Sequence, residues 1–157
     1  MNLINKILLI TLSLLLNNCK AEDNSMKVIT YTNGQKSEVK ISFDEIDKIK
    51  TILSELLVKT DDMLRVHFDE DRINGLKLQE NCIEIVLDST QKFNTGFLGE
   101  TSVKKVLLPL SGDYQASENI DIVTIIIGED EYSSGPLTAS GGFKLLEELK
   151  KIVFNKN

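Results

Sequence analysis

The sequence predicts an α+β fold: a two-layer sandwich in which a mostly antiparallel sheet of about five to six strands carries two amphipathic helices on one face. Three observations lead there. The segments run strand, strand, helix, several strands, helix, without the alternating strand–helix repeat of a parallel doubly wound sheet. Each helical segment has one apolar stripe, which suits packing against one sheet face. The strand segments are apolar and separated by turn signals such as Asn33-Gly34, Asn74-Gly75 and Gly112.

The first element is a β-hairpin over residues 26–41. Val28 and Ile29 precede Asn33-Gly34, Val39 and Ile41 follow it, and Asn-Gly accepts the positive φ that a two-residue type I′ turn demands. Ser42 and Glu45 then have capping-box spacing. Phe43, Ile46, Ile49, Ile52, Leu53, Leu56 and Leu57 recur at helical period, so a helix runs to about Lys59. Leu64, Val66 and Phe68 alternate with Arg65 and His67, which predicts a half-buried strand. Residues 69–81 are polar and contain a turn at Asn74-Gly75, with room for short strands on either side. The apolar run at 82–87 reads as a central strand with Cys82 buried. Residues 88–102 read as a loop that packs down through Phe93, Phe97 and Leu98. Strands follow at 103–110 and 120–127, then a small-residue loop over 132–142. A second helix carries Phe143, Leu145, Leu146, Leu149, Ile152 and Val153.

The start of the chain has a different chemistry. Residues 1–6 bring one positive charge, residues 7–16 are almost wholly apolar, and a polar break follows, as in a secretory signal peptide. The apolar run is too short to span a bilayer as a helix, which takes about 20 residues. Leu16-Asn17-Asn18-Cys19 resembles the lipobox of bacterial lipoproteins, although Asn18 stands where that family usually has Gly, Ala or Ser. The resemblance covers residues 1–19 and implies cleavage before Cys19, diacylglycerol on its thiol, and anchoring in a bacterial cell envelope. Cleavage after Ala21 by an ordinary signal peptidase, or an uncleaved interfacial anchor, are the other readings of the same residues. The expected organisation is therefore a signal peptide (1–18), a lipidated cysteine with a polar tether (19–25) and one α+β domain (26–157).

The chain has 18 basic and 24 acidic residues, net −6, and loss of residues 1–18 removes only the charge of Lys6. An acidic surface repels nucleic acid and leaves a cationic protein or a metal ion as a plausible partner, though mild acidity also simply keeps a protein in solution. The single histidine, His67, leaves no material for a multi-histidine zinc site and reads as a solvated strand residue. Asp69, Asp71 and Glu80 have part of a calcium-loop spacing, but Ile73 and Asn74 occupy positions where that loop needs a ligand and a glycine. Ser133, Ser134 and Ser140 lack a nucleophile elbow, and no cofactor fingerprint is present. Two acidic groups with an adjoining tyrosine remain as binding candidates: Asp113 and Tyr114 with Glu118, and Glu129, Asp130 and Glu131 with Tyr132. If strands 103–110 and 120–127 pair, these groups lie at opposite ends of the hairpin. The expected function is non-enzymatic binding, in the manner of an immunity or inhibitor protein or a ligand-binding domain. A carboxylate-based envelope hydrolase and a structural part of an envelope complex are the alternatives.

Overall fold

The computed structural model describes residues 26–132 and 135–155. The expected signal peptide, Cys19 and the expected tether, together with Ser133 and Ser134, lie outside the described residues. The fold is α+β, built on a seven-stranded sheet in the order β2-β1-β4-β5-β6-β7-β3 with every neighbouring pair antiparallel. The strands are β1 (Lys27–Thr32), β2 (Gln35–Val39), β3 (Thr60–Met63), β4 (Cys82–Thr95), β5 (Gly99–Pro109), β6 (Ile122–Gly128) and β7 (Leu137–Ser140). The helices are α1 (Phe43–Val58), α2 (Glu70–Gln79) and α3 (Phe143–Phe154). Among the described residues, no helix is long and apolar enough to cross a membrane.

The hairpin forms at Asn33-Gly34, with φ of 51° and 77°, as the primed turn requires. α1 starts where the capping pair puts it: the Ser42 N–H donates to Glu45 Oε2 at 2.8 Å. Its buried stripe is Ile49, Ile52, Leu53, Leu56 and Leu57. That stripe meets Leu146, Leu149 and Val153 of α3 and a sheet face made by Val28, Ile83, Ile85, Val106, Leu108, Val123 and Ile125. Strand side chains alternate between faces, so the intervening residues line the other side. There Ile29, Tyr31, Cys82, Leu107 and Ile126 pack with Phe68, Ile73 and Tyr132. α2 covers part of that second face, so the sheet is helix-covered on both sides rather than one.

Four local expectations need correction. The strand foreseen at 64–68 is displaced to β3; beyond Met63 the chain leaves the ladder, with Leu64 donating to the Pro136 carbonyl at 2.8 Å. Arg65 and His67 are exposed and Phe68 is buried, so the alternation reported burial without strand pairing. The polar segment 69–81 is helical over α2. Asp69 caps it by accepting from the Arg72 N–H at 2.9 Å, acids occupy its first turn and Lys77 its last. Residues 88–102 are not a loop: β4 and β5 continue past an irregularity between Val86 and Gln91 and turn only at 96–98. The segment 132–142 contains β7.

The tip of the β4–β5 hairpin docks on the end of α1. Gly96 N–H donates to the Leu57 carbonyl at 2.9 Å, occupying one of the acceptors that a helix C-terminus leaves free. A Cβ at Gly96 would sit 2.3 Å from the Thr60 carbonyl oxygen and 2.4 Å from that of Val58, so this approach requires glycine. Thr60 Oγ1 joins the contact, donating to the Leu57 carbonyl at 2.8 Å and accepting from Phe97 N–H at 3.2 Å.

Candidate binding groove and the buried carboxylate beside it

β5 and β6 pair as Lys105 with Gly128, Val106 with Ile127 and Leu107 with Ile126. The chain after Gly128 therefore emerges beside the start of β5, while Asp113 and Tyr114 sit in the connection beyond its other end. The two acidic groups do lie at opposite ends of the paired strands.

At the first end, Glu129, Asp130 and Glu131 are exposed and line a groove of about 670 Å³ with Glu100, Leu98, Thr101 and Ser102, over Ile127 and Gly128. The turn is tight because Gly128 lets the Glu131 carbonyl oxygen approach to 2.4 Å from where a Cβ would be. Two of the four carboxylates have cations at hand: Lys92 contacts Glu100 at 2.6 Å and Lys104 contacts Asp130 at 3.7 Å. Both pairs are solvated, and exposed pairs contribute about 0–1 kcal/mol. Among the described residues, no basic side chain lines the groove itself. The arrangement is an acidic rim with Leu98, 43% exposed, as an apolar contact.

Tyr132 does not belong to this surface. It is 4% exposed and its hydroxyl donates to Glu84 Oε1 at 2.8 Å, so the sequence reading of Tyr132 as a contact residue is corrected. Tyr114, at the other end, is half-buried. Its hydroxyl accepts from Arg72 at 2.6 Å and its ring meets Phe68 edge-on at 5.2 Å, with the Arg72 guanidinium 4.7 Å above the Phe68 ring. That tyrosine holds α2 to the sheet. Asp113 is exposed in a one-turn 3-10 helix, Gly112–Tyr114.

The sequence reading did not foresee the charge inside the second face. Glu84 is 5% exposed, and both of its oxygens are engaged. Lys77 Nζ reaches Oε1 at 2.6 Å, Tyr132 donates to the same oxygen, and Tyr31 donates to Oε2 at 2.7 Å. The Lys77 ammonium also lies 5.3 and 5.4 Å from the ring centres of Tyr31 and Tyr132, a favourable cation–π placement. Burial alone pushes the Glu84 carboxyl upward, but hydrogen bonds from Lys77, Tyr31 and Tyr132, with the lysine charge, hold it below the usual carboxylate range. The same burial, reinforced by the Glu84 charge, raises both tyrosine hydroxyls far above their ordinary value. Burial, then the Glu80 charge, pushes the Cys82 thiol up to about 12, so it stays protonated and unreactive at neutral pH. Glu84 is thus a fixed anion at neutral pH with both oxygens engaged, a poor proton donor or nucleophile.

One sequence signal for it exists: a lone carboxylate inside the apolar run at 82–87. Lys77 gives none, standing in a polar segment. Among the described residues, no group of three or more His, Cys, Asp or Glu side chains is placed to hold a metal ion. Comparison of the chain with protein-family models, curated proteins and solved structures finds no match in any of the three.

Proposed function

We propose that this chain is a lipid-anchored protein of a bacterial envelope, held by an acylated Cys19, whose folded part is a non-enzymatic binding module for a cationic protein. The groove carries the second half of the proposal. Glu129 and Glu131 present exposed carboxylates beside Leu98, and among the described residues no cation lines the groove to neutralise them in advance. Such a surface attracts a basic partner from a distance and gives it an apolar contact on arrival. An immunity or inhibitor protein that covers a basic toxin or hydrolase is the kind of activity it fits. The pattern of residues 1–19 supports the anchor. Two or more acyl chains make such attachment stable, each buried methylene contributing about 0.8 kcal/mol.

Affinity capture from envelope extract, wild type against the double variant Glu129→Lys and Glu131→Lys, tests the groove. The expected result is a basic protein enriched on wild type, lost from the variant, and weakened by salt as screened attraction demands. Identical captured profiles would overturn the groove reading. The anchor has its own test, metabolic labelling with a clickable palmitate. Label should appear on wild type and vanish in Cys19→Ala, and equal labelling of both would defeat it.

A further inference from the structure

An open strand edge offers backbone N–H and C=O groups to any strand that docks on it, and proteins blunt such edges with bulges, short strands or like charges. The two edges of this sheet differ in that respect. β3 has four residues, a bulge between Thr60 and Asp62, and the adjacent acids Asp61 and Asp62. A second copy laid against it would set acid near acid. β2 is regular in register from Gln35 to Val39, its side chains are exposed apart from half-buried Val39, and among the described residues no strand covers its outer side.

The turn decides which backbone groups face outward. A two-residue turn makes its flanking pair, Thr32 with Gln35, a hydrogen-bonded one, and the two kinds of pair alternate from there. Gln35, Ser37 and Val39 therefore direct their N–H and C=O groups to β1. Lys36 and Glu38 direct theirs away from the sheet. A second β2 running antiparallel about a two-fold axis must engage those residues. It can set Lys36 on Lys36, Glu38 on Glu38, or Lys36 on Glu38 with the axis at Ser37. The first two registers oppose like charges, which destabilises a cross-strand pair. The third satisfies the outward backbone groups of both residues and sets each lysine opposite a glutamate, twice over by symmetry.

We propose that β2 pairs with β2 of a second copy of this chain, antiparallel, Lys36 opposite Glu38 about Ser37, joining two sheets into one continuous sheet. Strands of five residues bury less than the roughly 1,200 Å² of a tight interface, so the dimer is weak and concentration-dependent. This does not rest on the groove, which lies beside β5 and β6.

On the axis, the two Ser37 residues form a non-hydrogen-bonded pair with Cα atoms about 4.5 Å apart, inside the roughly 4.4–6.8 Å that a disulfide spans. The experiment is oxidative trapping of the full-length chain carrying Ser37→Cys. Ser89→Cys, an exposed serine on β4, and the wild type with Cys19 and Cys82 set the baseline. Ser37→Cys should give a disulfide dimer well above both. Adding Lys36→Glu replaces two attractive pairs with two repulsive ones, so trapping should fall about tenfold. Adding Glu38→Lys as well restores the pairing with signs exchanged, and trapping should return. Ser37→Cys trapping no better than Ser89→Cys would overturn the proposal. So would trapping unmoved by Lys36→Glu, or not recovered in the charge exchange.

Discussion

Along β4 the side chains of Ile83, Ile85 and Leu87 enter the core under α1 and α3, while Cys82 and Glu84 face the α2 side. One strand thus serves two unlike interiors. The first is aliphatic, apart from Phe93, and rests on non-directional burial, where shape and area set the energy. The second holds an ammonium, a carboxylate and two phenols, and works only as a complete set. None of the buried side-chain nitrogen or oxygen atoms among the described residues lacks a hydrogen-bond partner. The aliphatic interior degrades in proportion to what is removed. The polar one turns a missing member into an uncompensated buried charge.

The largest expected effect comes from breaking that set. Glu84→Ala removes the carboxylate that accepts from Lys77 and both tyrosine hydroxyls and leaves the buried ammonium without its counter-ion, and should lower unfolding free energy by about 3–5 kcal/mol. Replacing all four polar groups together (Glu84→Leu, Lys77→Leu, Tyr31→Phe, Tyr132→Phe) should recover most of that loss, because no polar atom is then left unpaired. Urea unfolding of the three proteins measures both. A quadruple variant at least as unstable as Glu84→Ala would mean that the network supplies net stability beyond its own completeness.

Leu56→Ala makes the matching cut on the other face. Leu56 is fully buried between α1 and the sheet, and its truncation should cost about 2–5 kcal/mol. The loss should be the same across the pH range, since no titratable group takes part. A loss from Leu56→Ala that varied with pH would show the two interiors to be coupled through the sheet.

The aliphatic face was also the legible one. Ser42, Glu45 and the stripe from Ile49 to Leu57 announce α1, and Asn33-Gly34 announces the first hairpin, because each is a local rule that tertiary contact did not overrule. The polar face was hidden by its cover. α2 buries only Ile73, so it shows no stripe, and its helicity comes from Asp69 capping and end charges. The apolar run at 82–87 marks a central strand, but nothing local to Glu84 names the lysine and tyrosines that it meets, and the acids before Tyr132 make that ring read as a surface contact. The far half of the β4–β5 hairpin escaped for a related reason. Only Phe93, Thr95 and Val103 are buried in it, too few for an alternating pattern. Of the candidate site residues, Glu129, Asp130 and Asp113 lie on the surface as their local sequence implied. Tyr132 does not, since its burial depends on Glu84, 48 positions away.

The smallest change separates the two faces most finely. Tyr132→Phe removes one hydrogen bond to a charged acceptor, a loss of about 1.5–3 kcal/mol near neutral pH. It also changes the pH dependence at both ends. The Glu84 carboxyl is held below its ordinary value in the folded chain, so its contribution is present above that value. It is lost as pH falls toward the lowered one, because the unfolded chain takes the proton first. The tyrosine hydroxyls are raised, so their contribution is present below about pH 10 and is lost as pH climbs past it, where the unfolded chain ionises first. Without the Tyr132 donor, Glu84 titrates closer to its ordinary value and one phenol is absent. Stability measured from pH 3 to 11 should therefore decline less steeply at both ends than in wild type. In wild type, tyrosinate absorbance from Tyr31 and Tyr132 should rise only together with unfolding. Two parallel stability curves, offset by a constant amount, would mean that Tyr132 packs against the sheet without setting the charge state of Glu84.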